Sequence, residues 1–113
     1  MIKPFKVNVS DSILKEINTK VKNYPWHEMP KDGGWEYGTN LDYMKEISDY
    51  WVSKFDWKKH EEEINKFSNF TTGVDGLNIH FIMEKGSGSK ATPLLLMHGW
   101  PGSIVEFLHI IEK

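Results

Sequence analysis

The sequence predicts an α/β chain in two parts: a helical N-terminal region over residues 1–69, then, over 70–113, the first strands and first helix of an incomplete α/β core. Three observations carry this expectation. Apolar residues recur at helical spacing in three stretches before residue 69, and from Phe70 the period drops to two. A continuous apolar run, Leu94-Leu95-Leu96-Met97, then leads into a turn rich in glycine.

The first helix is announced by Ser10 and Asp11, which stand before Ile13, Leu14, Ile17 and Val21. A serine hydroxyl can satisfy an orphan amide of the first turn, and an aspartate there suits the positive end of the helix dipole. Pro25 closes the helix, because the residue before a proline is driven out of the α region. A loop from Trp26 to Thr39 follows, with Pro30, Gly33, Gly34 and Gly38. The second helix, capped by Thr39 or Asn40, gathers Leu41, Met44, Ile47, Trp51, Val52 and Phe55 on one face. Asp56 caps a third, with apolar positions Trp57, Ile64 and Phe67. Its run Glu61-Glu62-Glu63 reads as a solvated face, with pairs such as Glu62 to Lys66.

Leu77, Ile79, Phe81 and Met83 alternate with Asn78, His80, Ile82 and Glu84, as in a strand. Phe70–Val74 supplies a partner, and Asp75-Gly76 is a strong tight-turn pair, so a hairpin is expected. Gly86-Ser87-Gly88-Ser89 joins it to the Leu94–Met97 run. That run suits a strand buried on both faces in a parallel sheet. Such a strand needs neighbours and covering layers that residues 1–113 do not offer. The sequence therefore reads as a truncated or partial chain that alone exposes apolar surface.

Composition narrows the function classes. Hydrophobic residues at 39% and charged residues at 27% fit a folded chain, and 13% aromatic residues provide large anchors for a core. The formal charge of −2 offers no basic stripe for nucleic acid. All 14 basic residues are lysines, so the bidentate guanidinium fork is missing. Without cysteine there is no disulfide framework and no thiolate nucleophile. His27, His60, His80 and His109 show no zinc spacing, and neither metal nor cofactor is expected. No run is long enough to span a bilayer, and Met1-Ile2-Lys3-Pro4 does not begin a signal peptide.

The chemistry resides in His98-Gly99-Trp100-Pro101-Gly102-Ser103. Ser103 and Glu106 match a capping box, so a helix should start directly after the turn. Strand, glycine turn and helix start together expose backbone N–H groups where ligands bind in open α/β sheets. Such a turn suits a developing oxyanion. The plain structural alternative is an ordinary strand-to-helix connection. The glycines at 99 and 102 do not fit G-x-G-x-x-G, and no P-loop lysine follows.

This turn resembles the H-G-x-P turn of epoxide hydrolases, in the H-G-W-P-G-S form of their microsomal branch. Pro4-Phe5, Gly34-Trp35-x-Tyr37-Gly38, Leu41-Asp42-Tyr43, Tyr50-Trp51 and Phe55-Asp56-Trp57 also resemble that branch. So do Asn65-x-Phe67 and Gly76-Leu77-x-Ile79-His80-Phe81, in order and spacing over nearly the whole chain. The sequence is thereby identified as the N-terminal region and start of the α/β-hydrolase core of a microsomal or juvenile-hormone type epoxide hydrolase.

The resemblance implies an enzyme that opens an epoxide through an aspartyl ester and hydrolyses the ester to a vicinal diol, in detoxification or juvenile hormone catabolism. It assigns one catalytic group here, the backbone N–H of Trp100 in the oxyanion hole. His98, Gly99, Pro101 and Gly102 support the turn, and Pro101 follows a cis peptide bond. The nucleophile, the base and the lid tyrosines of the family come after this turn, so Tyr24, Tyr37, Tyr43 and Tyr50 match none of them and His98 is not the base. Residues 1–113 alone are expected to be inactive. The partners implied are a small epoxide substrate for the complete enzyme and the remaining core or an intact homologue. The alternative is a non-catalytic interaction module. The resemblance allows an endoplasmic-reticulum membrane location; otherwise the chain reads as cytoplasmic.

Overall fold

The computed structural model describes residues 1–111. Two compact units divide the chain: Val9–Trp57, and Met1–Asn8 together with the chain from Lys58 onward. The domain boundary expected near residue 69 follows the change of hydrophobic period. Packing divides the chain elsewhere, because the first residues pair with the hairpin.

In the Val9–Trp57 unit, helix α1 spans Asp11–Lys22 and helix α2 spans Leu41–Ser53. Ser10 caps α1, its hydroxyl accepting from the Ile13 amide at 3.4 Å, and Asn40 rather than Thr39 caps α2, accepting from the Tyr43 amide at 3.0 Å. α1 and α2 pack together, with Leu14, Ile17 and Val21 half-buried on one helix and Leu41, Met44, Ser48 and Val52 on the other. Ser48 serves in this apolar row because its hydroxyl donates to the Met44 carbonyl at 2.8 Å. The single face expected of α2 is thus two. Ile47 and Trp51 lie exposed on a second stripe, since a face wider than α1 can cover turns away from it, and Phe55, also exposed, lies past the end of the helix.

In the other unit, strand β1 (Lys3–Pro4), helix α3 (Trp57–Asn65), strand β2 (Asn69–Val74) and strand β3 (Leu77–Ile82) come together. The sheet is antiparallel in the order β1-β2-β3. β1 was not expected, being too short to show a period. Asp75 and Gly76 both take positive φ, 48° and 79°, as a two-residue type I′ hairpin loop requires. That loop sets the Val74↔Leu77 register. Met83 falls beyond β3, its amide donating to the Ser68 carbonyl at 3.0 Å.

Directly paired residues share a sheet face. Asn69↔Ile82 and Thr71↔His80 therefore share one face, and Phe70↔Phe81 and Thr72↔Ile79 share the other. The first face holds the tighter packing. Asn69 is buried there, and its Nδ2 donates to the carbonyls of Ile64 and Phe67, both at 2.8 Å. The second face carries a stacked Phe70–Phe81 pair 5.7 Å apart, yet leaves Leu77 and Ile79 exposed. The alternation was read correctly, but the face with more polar residues is the packed one.

Three expectations need correction. Leu94–Met97 forms no strand: the segment has no ladder partner among the described residues, and Leu94 and Leu95 are each 81% exposed. Its pattern describes a strand between neighbours, and a strand cannot form without them. The Glu61–Glu63 run is not uniformly solvated either. Glu61 is buried and pairs with Lys58 at 3.0 Å, while Lys66 pairs with Glu63 rather than Glu62, at 2.6 Å. Helical geometry puts Glu61 and the core residue Ile64 three apart on the same side, which accounts for the burial. Phe67, finally, lies past the end of α3.

Candidate oxyanion turn

All five turn residues singled out from the sequence, His98, Gly99, Trp100, Pro101 and Gly102, sit in one short connection before a single 3-10 turn, Ile104–Phe107. The Trp100–Pro101 peptide is cis, as the resemblance implies. The Gly102 amide donates to the Gly99 carbonyl at 2.6 Å, closing the bend around Trp100 and Pro101.

The helix start is held by the expected capping box. The Ser103 hydroxyl accepts from the Val105 amide at 3.3 Å, and the Glu106 carboxylate accepts from the Ser103 amide at 3.1 Å. This box explains the glycine before it. A Cβ on Gly102 would collide with the Glu106 carboxylate and come within 2.8 Å of the Gly99 carbonyl oxygen. Only a residue without a side chain lets the carboxylate reach back over the turn.

Trp100 has its side chain 98% exposed, and among the described residues its amide N–H has no hydrogen-bond partner. The chemically useful group of this residue is therefore a main-chain donor open to an acceptor. The His98 imidazole approaches the Gly99 carbonyl at 3.3 Å and is otherwise exposed. Among the described residues its ring makes no other hydrogen bond.

Two polar constellations escaped the sequence reading. Asn65 bonds twice to Val7. His80 bonds Asn69 Oδ1 at 2.8 Å through Nε2 and meets the Phe5 ring at a centroid distance of 5.0 Å. Because Asn69 Nδ2 donates to two carbonyls, its oxygen is the acceptor and His80 Nε2 carries the proton. Burial lowers the His80 pKa from its ordinary value. The available signal was a polar residue interrupting an apolar pattern: both side chains fall within the motifs Asn65-x-Phe67 and Ile79-His80-Phe81.

Known proteins agree with this architecture. A family model described as epoxide hydrolase N terminus matches residues 2–107. Epoxide hydrolase 1 of Sus scrofa is 41% identical over 114 residues, an alignment covering 97% of this chain and 25% of that protein. The solved structure of Aspergillus niger epoxide hydrolase superposes with a TM-score of 0.87 at 33% identity, over 97% of this chain and 29% of its own. The juvenile hormone epoxide hydrolase of the silkworm Bombyx mori gives a TM-score of 0.83 at 34% identity, over 96% of this chain and 27% of its own. The chain spans about a quarter of the length of the curated relatives it matches. With sequence, family model and α/β-hydrolase structures in agreement, the chain belongs to the epoxide hydrolase family, in the microsomal and juvenile-hormone branch, and corresponds to its N-terminal region and the start of its core.

Proposed function

We propose that this chain supplies the N-terminal region and one oxyanion-hole donor, the Trp100 backbone N–H, to an epoxide hydrolase that makes vicinal diols through an aspartyl ester. The observation that carries the reading is the turn itself. The Gly99–Gly102 bond and the Ser103–Glu106 capping box engage the Gly102 and Ser103 amides, while the Trp100 amide, like those of His98 and Gly99, has no hydrogen-bond partner among the described residues.

In this scheme an aspartate attacks an epoxide carbon while two tyrosines donate to the opening oxygen. Water, activated by a histidine with an acidic partner, then attacks the ester. The ester carbonyl oxygen gains negative charge at that step, and a fixed N–H there stabilises the transition state more than the ground state. Residues 1–113 contribute the donor and none of the other groups, so by themselves they do not turn over epoxide. Their partners are the epoxide and the rest of a hydrolase core. Exposed Leu94, Leu95 and Met97 support a core as the second of these.

Two preparations test the reading with a labelled epoxide. The 113-residue chain alone should release no diol above the blank. A chimera in which residues 2–107 replace the matching part of the silkworm enzyme should release it. An inactive, well-folded chimera, or an active isolated chain, would overturn the proposal.

A further inference from the structure

The sequence contains two Asp-Gly steps, Asp32-Gly33 and Asp75-Gly76, and the structure treats them differently. Among aspartyl steps, one followed by glycine is the most open to imide formation, because no side chain shields the next amide nitrogen. Both aspartates are exposed and both take positive φ, 64° at Asp32 and 48° at Asp75. The difference lies at the attacking nitrogen. The Gly33 amide donates to the Pro30 carbonyl at 3.2 Å, and Gly33 is buried against the Tyr37 ring, where an added Cβ would lie 2.8 Å from Cδ2. Gly76 is exposed at the hairpin tip, and its amide has no hydrogen-bond partner among the described residues.

We infer that Asp75-Gly76 is a site of spontaneous isoaspartate formation in the folded chain, and that Asp32-Gly33 is protected by its turn. In the reaction the Gly76 nitrogen attacks Cγ of the protonated Asp75 carboxyl. The N–Cγ bond forms, the Cγ–OH bond breaks, and the hydroxyl leaves as water with the amide proton. Water then opens the imide at either carbonyl, giving back aspartate or an isoaspartyl linkage. The second product leaves the mass unchanged but routes the main chain through the side-chain carbon. That extra backbone atom falls in the two-residue loop that sets the Val74↔Leu77 register, so the modification acts on the hairpin carrying His80. It also creates a free α-carboxylate, the group methylated by S-adenosylmethionine-dependent isoaspartyl methyltransferases.

The test ages the full chain in mildly acidic buffer, below its melting temperature and in parallel in concentrated urea. Each sample is then labelled with such a methyltransferase and S-adenosylmethionine, and its peptides are mapped. In the folded sample the Asp75 peptide should carry several-fold more methyl label than the Asp32 peptide, and Asp75→Glu should remove that label. In urea the two peptides should approach equal labelling. Equal or greater labelling at Asp32 in the folded chain would overturn the inference. So would a preference for Asp75 that persists unchanged in urea, since sequence rather than fold would then account for it.

Discussion

Asn65 and Val7 exchange two hydrogen bonds across 58 positions of sequence: the Val7 amide donates to Asn65 Oδ1 at 2.9 Å, and Asn65 Nδ2 donates to the Val7 carbonyl at 2.8 Å. The carboxamide thus presents to Val7 one acceptor and one donor, the pair that a neighbouring strand would offer. It carries the pairing of the N-terminal segment on past Phe5, whose amide bonds the Asn69 carbonyl at 2.9 Å. Replacing it with alanine leaves two main-chain groups unsatisfied. Asn65→Ala should lower unfolding free energy by about 1–3 kcal/mol. Asn65→Asp retains the acceptor and loses the donor to Val7. Urea denaturation of the three proteins checks this, with Val7 amide exchange as the local readout.

His80 makes stability depend on pH. Burial lowers its folded pKa below the ordinary value of 6.5, so the unfolded chain binds the proton more readily. The contribution is fully present above the unfolded pKa and is lost as pH falls through 6.5 towards and below the lowered folded value. Melting temperature measured across that window should fall with acidity, and His80→Gln should flatten that part of the profile.

Gly102 is held to glycine by the Glu106 carboxylate and by the Gly99 carbonyl oxygen, 2.8 Å from where a Cβ would sit. Gly102→Ala should expel the carboxylate from the Ser103 amide and cost about 1 kcal/mol, the usual value of a lost cap. The double change Gly102→Ala with Glu106→Ala should be less than additive, because the clash and the bond involve the same carboxylate. Thermal melts of both single variants and the double variant measure this coupling.

The Leu94–Met97 run should behave as surface in the isolated chain. Leu95, 81% exposed, should accept lysine with a stability change within about 0.5 kcal/mol, as substitutions away from packed features do. The same change should reduce binding of a fluorescent hydrophobic dye. A large loss of stability would show that the segment is packed after all.

The helices and the hairpin were legible because their signals are local. Ser10, Asn40 and the Asp75-Gly76 pair each act within a few residues, and the structure uses all three. The Ser103–Glu106 box was legible for the same reason. Long-range facts were not. Whether Leu94–Met97 becomes a strand depends on neighbours, and which hairpin face is packed depends on Asn69 reaching the end of α3. The site shows the same division: in sequence Gly102 reads only as a residue supporting the turn, and its clash with Glu106 is seen only in three dimensions.

The central claim concerns a main-chain atom, and substitutions at Trp100 can separate it from the side chain. In the silkworm chimera, Trp100→Ala keeps the N–H and Trp100→Pro removes it. Single-turnover kinetics with a labelled epoxide would follow ester formation and diol release separately. Trp100→Ala should release diol at close to the parent rate, since it keeps the main-chain N–H to which the proposal assigns the oxyanion contact. Trp100→Pro should accumulate the ester and slow diol release about 100- to 1,000-fold, the usual cost of one oxyanion donor. If a folded Trp100→Pro chimera releases diol as fast as its parent, the Trp100 amide is not the donor and the account of this turn is wrong.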